Sequence, residues 1–522
     1  MRKVRIQNRL KYSKIGCWNI LKKQAADFCS NTGLHGYKYI SQTQHPKTER
    51  IIWAITVITS LCCAFILIRM SLNYYISHPT LTVIESTHNG IWNYPFPAIT
   101  ICDLNRVSYK LTEEFVKNLR TPSNMSKKFL IEEMRLMNEL LIPGIFGYDV
   151  EKNLTRLQDI IDDNSMSILD VAKLITQNCS TLITKCKWKG KVDHCDKYFQ
   201  PSLSRDGICC SFNYYVYPDT IPEKMKRSAA CGFGTGMTVI IENDPKDYHA
   251  TIIRAYGIKV MIHYSFDYPD FNAEIQLART NSEHFLSIKP EEMYSNPDMK
   301  NLAISTRKCI LSDEANKTLY TNVKKRNLTF AIYTYHNCLA ECRASIARKK
   351  CGCIPYYFPQ NSTRVCNLRD VQCLLKYKSF FDTSWPDVDE SGNKLLQKIK
   401  DMKTGPCGCI PDCSLYYYPL ESSYGTLDPT IYYNNNGFLK DSRNGTSLRN
   451  HTVVHVFFSD LVAFQYRRSV NYSWRNMFAS FGGLLGLLAG FSLMSIFEFL
   501  YFFIIRVIIE AYFNSTEDSN VQ

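Results

Sequence analysis

"GGLLGLLAGFSLMSIFEFLYFF", Gly482 to Phe503, lies near the end of this 522-residue chain and decides how the rest is read. Leu, Ile and Phe at this density suit a helix that crosses a membrane. Four glycines (Gly482, Gly483, Gly486 and Gly490), the triplet Gly490-Phe491-Ser492 and the carboxylate Glu498 do not suit a segment that faces only lipid. Backbone released from a helix at membrane depth is tolerated only where it lines water or is buried in protein. Glycine permits the release, and carbonyls freed there can replace part of an ion's hydration shell. Ser492 adds a hydroxyl oxygen, and Gly482, Gly483 and Gly486 have the spacing of close helix contacts. An ionisable residue inside a span marks function by default, so Glu498 reads as a cation-attracting ring at the inner end of a pore. The plainer alternative is that the glycines only pack helices and Glu498 sits at the inner interface.

Asn476 to Phe497 carries no charge, so the apolar segment runs from about Met477 to Ile505. A second such run stands near the other end. Ile51 to Ile68, "IIWAITVITSLCCAFILI", is uncharged, Arg69 interrupts it, and Met70 to Ile76 continue apolar and aromatic. About twenty helical residues cross a hydrocarbon core, and Arg69 near the end can snorkel to the headgroups. A signal peptide would begin near residue 1 and end at a small-residue cleavage site, and this run does neither. The minimal organisation is two spans on either side of one large domain.

Two signals orient it. Residues 1–50 hold eleven Lys/Arg against Asp27 and Glu49, a large part of a net charge of +14. Beside an apolar run, such a flank reads as cytoplasmic rather than as a nucleic-acid arm. Asn-x-Ser/Thr acceptors fall between the spans, at Asn124, Asn153, Asn178, Asn316, Asn327, Asn361, Asn444, Asn450 and Asn471; only Asn514 lies beyond the second span. Seventeen of the 21 cysteines are in the middle domain, as an oxidising exterior would favour. Cys351-Gly-Cys353 and Cys407-Gly-Cys409 lack the C-x2-C spacing of zinc sites, so no metal is expected. Seventeen is odd, which leaves at least one thiol outside an intrachain pair.

The middle domain reads as mixed α and β. "FPAITIC" (Phe96–Cys102), "TVIIEN" (Thr238–Asn243), "YGIKVMIHY" (Tyr256–Tyr264) and "HTVVHVFFSDLVAFQYRR" (His451–Arg468) read as strands, the last leading directly towards the second span. "EEFVKNLR", "KKFLIEEMRLMNELL" and "DDNSMSILDVAKLITQN" read as helices, and Ser379 to Lys398 as a polar loop. "CLAEC", Cys338 to Cys342, sets two thiols on one helical face, while "CGCIPDC", Cys407 to Cys413, offers three on a strand or turn. Facing segments laced in this way make a stiff arm, each bridge contributing about 2–4 kcal/mol.

In order along the chain, "LHGYKYI" with His35 and Gly36, "FPAITICDLN", the ten-cysteine array from Cys309 to Cys413 and "FASFGGLLGLLAGFSLMSIFEF" resemble the degenerin/epithelial sodium channel family, which includes the acid-sensing channels. The likeness spans about residues 28 to 505 and is nearest to insect pickpocket-type members. It implies an α+β membrane protein: two transmembrane helices, a large disulfide-rich α/β ectodomain of palm, β-ball, finger, thumb and knuckle type, and assembly as homo- or heterotrimers. The segments would be a cytoplasmic stretch (1–50), a first span (51–76), an extracellular cysteine-rich domain (77–472), a second span with pore and filter (473–505) and a cytoplasmic tail (506–522).

By the same resemblance Gly490, Phe491 and Ser492 are the selectivity filter, Glu498 the inner pore ring, and Ala479 the position where bulk holds the channel open, with His35 and Gly36 acting on opening from the cytoplasm. The thumb bridges would be Cys309–Cys413, Cys338–Cys409, Cys342–Cys407, Cys351–Cys373 and Cys353–Cys366, with Cys186–Cys195 a further pair. Cys102 would pair with Cys209 or Cys210, Cys210 being the one assigned here; Cys179 and Cys231 have no counterparts in the acid-sensing members and are left to pair with each other. The function implied is a sodium-permeable, amiloride-sensitive channel of the plasma membrane, sensory in role, both termini cytoplasmic, with permeant Na+ and no cofactor. Its partners would be related subunits and membrane lipid, not nucleic acid.

Departures exist. Acid-sensing members carry a Trp before the first thumb cysteine, whereas "STRK" precedes Cys309 here, although Tyr74 and Tyr75 are present beyond the first span. The joint coupling thumb to pore therefore differs, and because the sequence places no proton-sensing carboxylate cluster, acid gating is not implied. Phe491 is bulkier than the middle filter residue of several relatives. Two other functions fit the sequence less well. An ATP-gated trimeric channel would show a different cysteine order and nucleotide-site lysines, and a two-span scavenger or adhesion receptor would need neither Gly490-Phe491-Ser492 nor Glu498. An enzyme is not indicated: "GFGTG", Gly232 to Gly236, lacks the spacing of a nucleotide fingerprint and HExxH is absent.

Overall fold

The computed structural model describes residues 22–122, 125–144, 148–314, 330–359, 363–383, 406–428, 438 and 450–509. Two units separate: residues 1–81 with 469–522, and residues 82–468.

The larger unit is built on β-sheet. Its five-stranded sheet runs Glu274–Ala278, Ile258–His263, Ala98–Asp103, Gly207–Phe212, Phe199–Ser204, with every neighbour antiparallel. Ala98–Asp103 is central and buried along its whole length, which explains why "AITIC" is β-branched and apolar on both faces. The six-stranded sheet runs Leu420–Thr426, Ser282–Ile288, His451–Phe458, Met237–Glu242, Ile183–Trp188, Lys191–Asp193. Ser282–Ile288 lies parallel to His451–Phe458, Phe285 opposite His455. A four-stranded sheet runs Thr80–Gly90, Val462–Val470, Glu291–Ser295, Leu415–Tyr417. The long run predicted from His451 to Arg468 thus divides at Ser459–Leu461 and serves two sheets. Phe96, Trp188, Phe212 and Phe458 close the core between the larger sheets, with ring centroids 4.8 to 6.1 Å from Phe96.

A helical layer follows the short strand Asn105–Ser108. Ser108, Ser126 and Ser167 each accept a backbone N–H of the first turn and so start helices Tyr109–Asn118, Lys127–Glu133 and Ile168–Ile175. Helix Tyr148–Asp163 joins them, and their apolar stripes bury Leu130, Met134, Leu157, Ile161 and Val171 in one cluster. "KKFLIEEMRLMNELL" is α-helical only to Glu133, and Met134–Leu140 tightens to a 3-10 helix. Lys378–Thr383 is helical rather than loop; residues 384–398 of that expected loop lie outside the described residues.

Eight disulfides lace this unit. Helix Tyr335–Cys351 presents Cys338 and Cys342 on one face to Cys409 and Cys407. Cys309–Cys413, Cys351–Cys373, Cys353–Cys366 and Cys186–Cys195 are also bonded. Two expected pairings are corrected. Cys102 bonds Cys209, not Cys210, and Cys210 bonds Cys179. The reason is register. Ile101 faces Cys210 across antiparallel strands, so the next pair outward is Cys102 with Cys209, their Cα atoms 4.6 Å apart. Successive side chains on a strand point to opposite faces, and Cys210 is turned to the other core, where Cys179 lies. Cys231, expected on Cys179, keeps a free thiol.

The smaller unit holds helix 22–31, the short helix Tyr37–Ser41 and the apolar helix Lys47–Ser77. Among the described residues Lys47–Ser77 alone is long and apolar enough by itself to cross a membrane. Trp474–Ala489 and Leu493–Ile509 meet that test together, bent by 70° at the break between them. Beyond Ser77, the Asn471 side chain donates to the His78 carbonyl (2.9 Å), and Tyr75 packs on Tyr472 with centroids 4.0 Å apart.

Candidate functional site: the break at Gly490

Ser473 caps helix Trp474–Ala489, its hydroxyl accepting Asn476 N–H. The helix ends because Gly490 turns left-handed, φ 67°, a conformation that costs an L side chain about 1–2 kcal/mol. Gly490 N–H donates to Gly486 O at 3.0 Å and Phe491 N–H to Leu485 O at 3.2 Å. The next helix, Leu493–Leu500, starts at Ser492, with Ser492 N–H donating to Ser495 Oγ (3.2 Å) and Ser495 N–H to Ser492 O (3.0 Å). Gly490, Phe491 and Ser492 therefore form the three-residue break, with Phe491 37% exposed and Ser495 buried. Tyr501–Ile505 then continues as a π-turn.

The last carbonyls of a helix have no partner within it. Here two are met from elsewhere in the unit: Ala489 O accepts His35 N–H at 3.1 Å, and Leu488 O accepts the Ser60 hydroxyl at 2.5 Å. His35 and Gly36 thus lie against the break. A Cβ on Gly490 would stand 2.6 Å from His35 Cδ2, and one on Gly36 (φ 82°) would stand 2.7 Å from Val57 Cγ2. Gly36 is glycine because its backbone is left-handed and pressed on helix Lys47–Ser77.

Below the break Glu498 is engaged. Its Oε2 accepts the Thr32 hydroxyl at 2.9 Å and Gly33 N–H at 3.4 Å. One turn on, Phe28 is enclosed by Phe499, Phe502 and Phe503, with centroids 5.4 to 6.2 Å away, and Asp27 pairs with Arg506 at 3.1 Å. The amino-terminal segment and the carboxy-terminal half of the broken helix therefore share hydrogen bonds, an aromatic cluster and an ion pair.

Other expected site residues stand apart from these contacts. Ala479 is exposed, and a Cβ at Gly482 or Gly483 would meet nothing within 4 Å. Among the acceptor asparagines, Asn178 is exposed and uses Oδ1 to cap Cys179 N–H, while Asn153, Asn450 and Asn471 are partly buried. Asn124, Asn316, Asn327, Asn361 and Asn444 lie outside the described residues. The structure adds Thr32, Ser60 and Ser495 to the site. Their signals were small: a hydroxyl inside the apolar run 51–68, and the Ser492-x-x-Ser495 spacing of a helix start.

Residues 28–502 match the family model described as amiloride-sensitive sodium channel. The chain is 24% identical over 501 residues to sodium channel protein Nach of Drosophila melanogaster, covering 92% of this chain and 87% of that protein. Pickpocket protein 11 of the same fly is 23% identical, covering 92% and 75%. The bile acid-sensitive ion channel of Mus musculus is 25% identical, covering 92% and 88%. The match takes in the amino-terminal segment, both apolar segments and the disulfide-laced domain between them, and the chain belongs to the amiloride-sensitive sodium channel family.

Proposed function

We propose that the chain is a subunit of a sodium-permeable cation channel of the plasma membrane, blocked by amiloride and gated by a chemical, osmotic or mechanical stimulus. The observation that carries this reading is the break itself: an apolar helix pair bent by 70° at Gly490-Phe491-Ser492. Broken helices at membrane depth belong where they line a water-filled path. In this reading three related subunits, of one kind or several, surround that path, with the Gly490 to Ser492 backbone as filter and Glu498 as the inner acidic ring. Gly482 and Gly483 support assembly, because nothing in their own chain crowds them. Small residues of that kind let neighbouring helices approach closely. Residues 77–472 stand outside the cell, and both termini stand inside.

The test is whole-cell recording of the chain expressed alone and with related subunits. A sodium current blocked by amiloride, with a reversal potential shifted by Ser492→Ala, is expected. An unchanged ion preference in Ser492→Ala would sink the filter assignment.

A further inference from the structure

Helix Lys47–Ser77 carries three neighbouring hydroxyls, and they behave differently. Thr56 Oγ1 donates to Ile52 O at 3.0 Å and Thr59 Oγ1 to Ile55 O at 2.8 Å, each within its own helix. That local bond is the usual option for a hydroxyl in an apolar helix. Ser60 instead donates to Leu488 O on the broken helix at 2.5 Å. One turn further on lies Ala64, the one buried residue of Lys47–Ser77, so Ser60 and Ala64 share the face that packs. Leu488 is two residues before Gly490, and its neighbour Ala489 O is already taken by His35 N–H.

We propose that Ser60 is a positioning residue for the break: by holding the Leu488 carbonyl it fixes where the helix ends and how the Gly490–Ser492 carbonyls are aimed. The argument is one of satisfaction. A carbonyl left unpaired at a helix end in apolar surroundings seeks another donor, and the N–H groups of the break follow it directly in the chain. With Ser60 in place the N–H groups of Gly490, Phe491 and Ser492 keep their present partners, Gly486 O, Leu485 O and Ser495 Oγ. Without it the turn has an alternative pairing, and the carbonyls of the break lose their single orientation. A cavity of about 100 Å³ lies beside this contact, lined by His35, Trp53, Val57, Ser60 and Leu488 among others. Ser60 borders that cavity, and Ser60→Thr is the variant that keeps the hydroxyl.

The inference rests on the channel reading above. The experiment compares Ser60→Ala, Ser60→Thr and Ser492→Ala in the full chain, with surface biotinylation and bi-ionic sodium/potassium reversal potentials. Ser60→Ala should reach the surface as the parent does, yet lose sodium preference by roughly threefold to tenfold, the factor that one hydrogen bond between membrane helices corresponds to. Ser60→Thr should restore it. If Ser492→Ala shifts the reversal potential and Ser60→Ala does not, this inference fails and the filter assignment stands. If neither shifts it, the filter assignment fails first. A measurement that needs no current covers a silent channel: Phe491→Cys labelled by a membrane-impermeant maleimide, scored above the parent. Ser60→Ala should change that labelling rate several-fold and Ser60→Thr should not; equal rates in all three backgrounds overturn the proposal.

Discussion

Gly490 and His35 touch where a side chain would have to be: the imidazole Cδ2 lies 2.6 Å from the Cβ position of residue 490. Gly490→Ala therefore meets two obstacles, the ring and a φ of 67° that costs about 1–2 kcal/mol. Little current is expected from Gly490→Ala at normal surface expression. Adding His35→Gly removes the first obstacle only, so the double variant should recover part of the current. No recovery would show that the contact does not matter.

Thr32 and Glu498 form the second cross-chain link. Thr32→Val keeps the shape and removes the donor, leaving only the longer Gly33 N–H contact. Thr32→Val and Glu498→Gln should each change single-channel conductance, and their combination should be no worse than the stronger single change. Groups in direct contact couple by about 0.5–3 kcal/mol, and simple additivity in the double-mutant cycle would refute the coupling.

Ala479 is exposed in its own chain, so extra bulk there costs the subunit nothing. If neighbouring subunits cover it, Ala479→Val should hold the assembly open and give constitutive current. A holding current equal to wild type, at equal surface density, would remove Ala479 from the gating machinery.

The two bridges of the adjacent cysteines Cys209 and Cys210 can be told apart by mass spectrometry of the thiol that each substitution frees. Cys210→Ser should expose the thiol of Cys179, and Cys209→Ser that of Cys102. Each loss should cost about 2–4 kcal/mol of stability. The opposite assignment of freed thiols would mean that the strand register is wrong by one.

Asp412 supplies a pH dependence. Its Oδ2 accepts Tyr335 N–H at the start of helix Tyr335–Cys351, and burial, with a smaller contribution from nearby Asp267, pushes its carboxyl up to about 7. An acid whose folded value lies above its ordinary 3.8 stays protonated in the fold while the unfolded chain has already ionised. Stability is thus lost as pH rises from about 4 to about 7, and the loss persists above that. Asn at 412 keeps an acceptor for Tyr335 and cannot ionise. In thermal unfolding Asp412→Asn should match wild type near pH 4 and exceed it near pH 8. Parallel curves at both pH values would count against it.

What could be read in advance followed the range of the interaction. The apolar runs, the glycine break and the hydroxyl spacing of Ser492 and Ser495 are local patterns, and the strands at Ala98–Asp103 and Ile258–His263 declare themselves by β-branched density. The choice between Cys209 and Cys210 depended on which face of a strand meets which core, and that is a register that composition does not encode. The 3-10 turn Met134–Leu140 and the helix Lys378–Thr383 carry only weak local propensity, which packing overrides. The contacts of Thr32, His35 and Ser60 with the broken helix join segments from opposite ends of the chain, and no local pattern announces them.

Those joined ends bear on biosynthesis. The Ser60 donor precedes the Leu488 carbonyl it holds by 428 residues, and His35 stands earlier still than the Ala489 carbonyl it caps. The break can therefore take this form only after the whole stretch between donor and carbonyl has been synthesised, and a polypeptide cut within that stretch lacks one side of the turn.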